Sequence, residues 1–224
     1  MKVLVGCPTK SAGVLESSDT RSKIVDSARS LFARNGFERT SLTAVARDAG
    51  VNGGSIYHFF PTKYRLLCAV LQSYLDGLKP VIMQPAFASA SDPIERVFAV
   101  LDGYRKRVLD SQFRYRCPIG ALALEVADQD DEVRALIAQN FANWRVEIRR
   151  CFEAAKDRLS TDADLDQLAS LVLTVMEGSV MQCAAEQSIE PFDRSIAQLR
   201  KHVTSLSRAA GREATQRERR RSRG

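Results

Sequence analysis

The run from Ser41 to Phe60, SLTAVARDAGVNGGSIYHFF, constrains this chain more than any other. Ser41 is placed to cap a helix whose inner face would be Leu42, Val45, Ala46 and Ala49, with Gly50 as its stop. Asn52 then caps a short helix that ends at Phe59, ahead of Pro61. Two short helices either side of a tight Gly50-Val51-Asn52 turn have the spacing of a helix-turn-helix. In that motif the first helix braces across a nucleic-acid backbone, and the second enters the major groove with its N-terminal end leading. Val45, Ala46, Ala49, Val51 and Ile56 would fix the angle between the two helices, the alanines allowing close approach.

The surrounding pattern is helical throughout, which predicts an all-α chain. Residues 1–18 show no sustained period and read as a flexible arm. Asp19 or Thr20 would cap a first helix with the stripe Ile24, Ala28, Leu31 and Phe32, closed by Asn35-Gly36. Thr62 would cap a further helix through Leu66, Leu67, Val70, Leu71 and Leu75 to about Lys79. Pro80 and Pro85 are expected to break the chain and end an N-terminal domain spanning 19–80. A larger helical domain follows over 81–208. Its helices start at Asp92-Pro93, Cys117-Pro118, Asp130 and near residue 164, and at Pro191. The arginine-rich tail, 209–224, reads as a basic flexible segment whose Arg219-Arg220-Arg221 is a solvated end or an added phosphate contact.

Charge is divided along the same lines. Residues 1–80 carry 11 Lys+Arg against 6 Asp+Glu, residues 81–208 carry 16 against 19, and residues 209–224 carry 6 against 2. A basic N-terminal part on a mildly acidic body places a polyanion partner at the N-terminal part. The five cysteines, Cys7, Cys68, Cys117, Cys151 and Cys183, are far apart and never in a CxxC pair. They read as free thiols rather than a disulfide framework or a zinc site. With two histidines, His58 and His202, no phosphate-cradling glycine loop and no metal-spaced cluster, an enzyme is disfavoured and no cofactor or metal is expected. No apolar run approaches a membrane span, and MKVLVGCPTK lacks the form of a secretory signal, so the expected location is the cytoplasm.

From Thr20 to about Leu71 the chain resembles the DNA-binding domain of the tetracycline-repressor (TetR) family. The matching positions are Ala28, Leu31, Phe32, Gly36, Thr40, Ser41, Val45, Ala46, Ala49-Gly50-Val51, Gly54-Ser55, Tyr57, Phe59 or Phe60, Lys63 and Leu66. The resemblance implies that Thr43, with Thr40 or Ser41 beside it, hydrogen-bonds a phosphate. It implies phosphate contacts for Tyr57 and Lys63, and places Asn52, Gly53, Gly54 and Ser55 at the leading end of the recognition helix. Asn52, Ser55 and His58 are the side chains that would read bases, His58 having the alternative of bracing the fold. Two features depart from the pattern. Gly53 and Gly54 weaken the helix by about 1 kcal/mol each relative to alanine, and Tyr64 stands where the family often has an acidic residue after the lysine.

The stretch from Cys117 to Glu125 and the helix through Phe141 and Trp144 are similar to a branch of the family that binds small apolar or aromatic effectors. The resemblance implies an effector pocket, for which Phe98, Leu101, Tyr104, Cys117, Leu124, Phe141, Trp144, Met176 and Val180 are candidates, plain core being the alternative for each. It also implies a homodimer through helices near 164–187 and 191–208. The resulting expectation is a sequence-specific regulator of double-stranded operator DNA, a repressor released by a small-molecule effector. An activator and a ligand-independent DNA-binding regulator stand as alternatives.

Overall fold

The computed structural model describes the backbone of residues 12–221 and the side chains of 18–207. Among the described residues the chain is helical with no strand, in the order α1 (Ala12–Asn35), α2 (Leu42–Asp48), α3 (Gly53–Phe59) and α4 (Lys63–Gly77). A π-helical stretch (Leu78–Met83) leads into α5 (Gln84–Ala88), α6 (Pro93–Asp110), α7 (Pro118–Val126) and α8 (Asp131–Ala154). A short 3-10 turn (Lys156–Arg158) precedes α9 (Leu165–Glu186) and α10 (Glu190–Arg221). The all-α expectation holds, with a three-helix head and a larger helical body.

Several boundaries differ from the sequence reading. Helix α1 starts at Ala12, so Asp19 lies inside it and pairs with Lys23 at 2.6 Å rather than capping it. The expected flexible arm thus covers helix over 12–18, and its remainder, 1–11, lies outside the described residues. Helix α10 likewise continues through the expected flexible tail to Arg221, and the side chains of Arg219 to Arg221 lie outside the described residues. Pro80 and Pro85 do not break the chain. Pro80 sits in the π-helical stretch, whose wider turn relieves the clash between a proline ring and the preceding turn's carbonyl. Pro85 opens α5, where its missing N–H costs little. By length and composition, Lys63–Ala88 and Leu165–Glu186 could cross a membrane, contrary to the sequence reading. In the fold both contribute to the protein cores, the first through Leu66, Leu67, Val70, Leu71 and Met83 and the second through Leu168, Val172, Leu173, Met176 and Val180.

Two apolar cores hold the molecule together, and their division does not fall at residue 80. The body core joins Val97, Phe98, Leu101 and Tyr104 of α6 to Trp144, Ile148 and Phe152 of α8, Val172 and Met176 of α9, and Phe192 and Leu199 of α10. The head core gathers Ile24, Ala28 and Phe32 of α1, Val45 of α2, Ile56 of α3 and Leu66, Leu67 and Leu71 of α4. It also takes in Ile119, Leu122 and Val126 of α7 and Val133 and Ile137 of α8. The body therefore supplies part of the head's core. Across the same seam the Asn140 amide donates to the Leu71 carbonyl at 3.2 Å, and the Tyr64 hydroxyl donates to Gln129 Oε1 at 2.7 Å. Tyr64, which stands where an acidic residue is often found in the family that the chain resembles, is thus a tie between head and body.

Candidate nucleic-acid interface and internal cavity

Local chemistry explains the reading head. The Ser41 hydroxyl accepts from the Ala44 N–H at 3.1 Å and starts α2. Gly50 takes φ +66°, the left-handed turn that lets the chain reverse between α2 and α3. Asn52 Oδ1 accepts from the N–H groups of Gly54 (2.7 Å) and Ser55 (3.2 Å), satisfying two orphan donors of α3. This cap offsets the weak helix propensity of the two glycines. Ile56 is fully buried and pins α3 to the head core.

The outward side of α3 is polar and free. Asn52, Gly53, Gly54 and His58 are exposed, Tyr57 is 56% exposed, and Ser55 is half-buried. No Cβ at Gly53 would meet anything within 4 Å. The His58 ring lies edge-on to Phe59 at 5.2 Å. On the bracing helix, Ser41 and Thr43 are exposed. Thr40 is not. It is buried, and its hydroxyl donates to the Gly36 carbonyl at 2.8 Å, so it shapes the α1–α2 turn and is not available to a phosphate. Lys63 is half-buried, donates to the Glu38 carbonyl at 3.2 Å, and lies over the Phe37 ring at 4.1 Å. An ammonium has three donors, so this contact steers Lys63 without using it up. Arg47, one helical turn after Thr43 and exposed, has no ion pair among the described residues. The sequence reading missed it, although the i, i+4 spacing from Thr43 placed it on the same face.

The body holds a partly open cavity of about 330 Å³ between the end of α4, the π-helical stretch and helices α6 to α9. Of the candidates read from sequence, Tyr104, Cys117, Phe141, Trp144 and Met176 line it. Phe98, Leu101 and Val180 do not and are buried in the body core, Phe98 under the Arg200 guanidinium at 3.7 Å. Leu124 is 78% exposed. Leu122 faces the core, and two residues on along a helix points to the opposite side. The walls also include Tyr74, Arg107, Tyr115, Asn140 and Glu177, which the sequence reading passed over. Glu177 carried a readable signal, being the one charged residue between Asp166 and Glu186.

Burial sets the electrostatics of this space. The Trp144 indole N–H donates to the Tyr104 hydroxyl at 3.1 Å, and burial raises the Tyr104 and Tyr115 phenols well above their ordinary range. Tyr74 is pushed up to about 12 by the same cause. Burial also pushes the Cys117 thiol up, with the nearby Glu177 carboxylate adding to it, which favours the neutral thiol over the nucleophilic thiolate.

Helix α7 links the cavity to the head. Its leading end, Cys117 to Ile119, lies on the cavity wall. Near its other end, the Glu125 carboxylate accepts from the backbone N–H groups of Phe37 (2.9 Å) and Glu38 (2.7 Å) in the α1–α2 turn. Gly36, at φ +87°, permits this approach. A Cβ there would stand 3.2 Å from Glu125 Oε1.

A two-helix reading head within a basic N-terminal part, set on a helical body that holds a cavity, defines a DNA-binding transcriptional regulator. The chain belongs to the tetR family of bacterial regulatory proteins. Residues 24–70 match the model described as "Bacterial regulatory proteins, tetR family". Residues 93–198 match "Transcriptional regulator LmrA/YxaF-like, C-terminal domain". A helix-turn-helix-type transcriptional regulator of Mycobacterium tuberculosis is 29% identical over 186 residues, covering 80% of this chain and 92% of its own length. The regulator YxaF of Bacillus subtilis is 25% identical, over 78% of this chain and 90% of its own. A crystal structure of a TetR-family regulator from Cytophaga hutchinsonii superposes with a TM-score of 0.76 at 19% identity, covering 85% of this chain and 96% of the other. The family consists of regulators, not enzymes, and this chain is one of them.

Proposed function

We propose that this chain is a homodimeric repressor that leaves its operator when a small molecule fills the body cavity. The observation that carries the reading is α7, one rigid element with its first turn on the cavity wall and its Glu125 clamped on the turn that precedes the bracing helix. A ligand that shifts Cys117 to Ile119 would move Glu125, and with it Phe37, Glu38 and the start of α2. The ligand acts only to the extent that it favours the shifted arrangement. Thr43, Arg47, Tyr57 and Lys63 serve as phosphate contacts, while Asn52 (through its free Nδ2), Ser55 and His58 address bases.

Dimerisation through α9 and α10 is supported by the outer side of α9. Leu171, Thr174, Gly178 and Met181 recur at i, i+3, i+7 and i+10. Leu171 and Met181 are exposed, and the space above Gly178 is open. Such a stripe of apolar and small residues suits a second copy of the same helix. The test is a gel shift at fixed salt on the DNA upstream of this chain's own gene, against random DNA. Selective binding, lost in Tyr57→Ala and in Lys63→Ala with the fold intact, supports the reading. Unchanged affinity in both variants removes the assigned contacts.

A further inference from the structure

Glu177 projects from the middle of α9 onto the cavity wall. Its Oε1 is shut off from solvent and has no hydrogen-bond partner among the described residues. A Cβ at position 120 would fall 2.5 Å from Oε2, so α7 closes over this carboxylate only because Gly120 is there. The cavity holds two arginines, but both are engaged elsewhere. Arg107 donates to the Gly103 carbonyl at 3.1 Å and lies over the Tyr104 ring at 5.7 Å. Arg29 pairs with Asp26 at 2.9 Å. Glu177 has no ion pair among the described residues, and neither arginine figures among the influences on its ionisation. Burial raises its carboxyl above the ordinary range, partly offset by a hydrogen bond from the Cys117 thiol, a neutral donor that leaves the charge unpaired.

A buried carboxylate without a counter-ion is costly, and a chain retaining one has left a charge for something else to meet. The remaining walls favour the same complement. Tyr104, Tyr115, Phe141 and Trp144 surround the space with aromatic rings, whose faces attract cations. A neutral hydroxyl would satisfy the free oxygen but leave the charge, whereas an ammonium meets both.

Resting on the reading of the cavity as an effector site, we propose that it takes an apolar or aromatic molecule bearing a protonated amine, with Glu177 as the group that selects the charge. The aromatic walls hold the body of the ligand. The ammonium donates to Glu177 Oε1, and the ion pair favours the carboxylate form against the opposing effect of burial.

The test is calorimetric titration of the full chain with two matched probes, naphthylmethylamine, which is protonated at neutral pH, and the uncharged naphthylmethanol. The amine is expected to bind about tenfold or more tightly than the alcohol, as a charge-assisted hydrogen bond provides. In Glu177→Gln that preference falls to about twofold or less, with the alcohol unaffected. Gly120→Ala, which displaces only the flexible end of Glu177, also weakens the amine selectively. If the alcohol matches the amine in the parent chain, or if Glu177→Gln keeps the preference, the charge selection is overturned while the cavity reading stands. If neither probe binds, the cavity reading fails and this inference fails with it.

Discussion

The recognition helix and the cavity handle polar groups in opposite ways. On α3, polar side chains face water, and the backbone is held by one asparagine cap and one buried isoleucine. In the cavity, a carboxylate oxygen and a tyrosine–tryptophan hydrogen bond are taken out of water and surrounded by rings. The first region is cheap to hold in place and cheap to alter, as suits a surface completed by DNA. The second holds polar groups away from water at a cost, which the proposed ligand would offset. Between them lie α7 and the shared head core, where the cost of moving one region is felt by the other.

The largest effect is expected at that junction. Ile137→Ala removes a buried side chain that α8 lends to the head core, and should destabilise the chain by about 2–5 kcal/mol. Urea unfolding followed by circular dichroism checks it, and a loss below about 1 kcal/mol would mean that head and body are separable. Next is Glu177→Gln without ligand. A carboxyl raised by burial holds its proton more tightly in the folded chain than in the unfolded one. Stability therefore falls as pH rises from the ordinary carboxylate range through the folded pKa. The glutamine variant escapes this fall. It should melt higher than the parent near neutral pH and converge with it in acid, in thermal unfolding across pH. Equal melting at all pH values would mean that the carboxylate is not strained in the empty cavity.

At the recognition helix the expected effects are smaller. Asn52→Ala removes the cap of α3 and should cost about 1 kcal/mol, measurable as a lower urea midpoint. Smallest is Glu132→Gln, which breaks the exposed Arg65 pair (2.8 Å) across the seam. A change of about 0–1 kcal/mol is expected in the same assay. A larger value would make the seam electrostatic rather than apolar.

The reading head was legible in the sequence because its determinants are local. Ser41, Gly50 and Asn52 act on N–H groups two or three residues away or on their own φ, so spacing alone reveals them. Thr40 was misread because its hydroxyl could turn toward solvent or toward the Gly36 carbonyl, and only the folded turn decides. The cavity was legible in part. Aromatic residues on helical stripes are shared between core and cavity, and periodicity does not separate Phe98 from Trp144. Leu124 failed on a rule of rotation along α7, and Glu177 was overlooked because its burial depends on four other helices. The extent of α1 and α10 was missed because polar helices carry no apolar stripe to mark them.

The borrowed core has a consequence for how such a regulator can be recombined. A head excised at the end of α4, or grafted there onto a foreign body, would lose Ile119, Leu122 and Val126 of α7 and Val133 and Ile137 of α8 from its core. The two functional halves of this chain are therefore not interchangeable cassettes. Under the contacts proposed above, an exchange of binding specificity that keeps the protein folded belongs on the outer face of α3 at exposed Gly53 and His58, and leaves Gly54 alone, because a Cβ there would stand 3.2 Å from the capping Asn52 Oδ1.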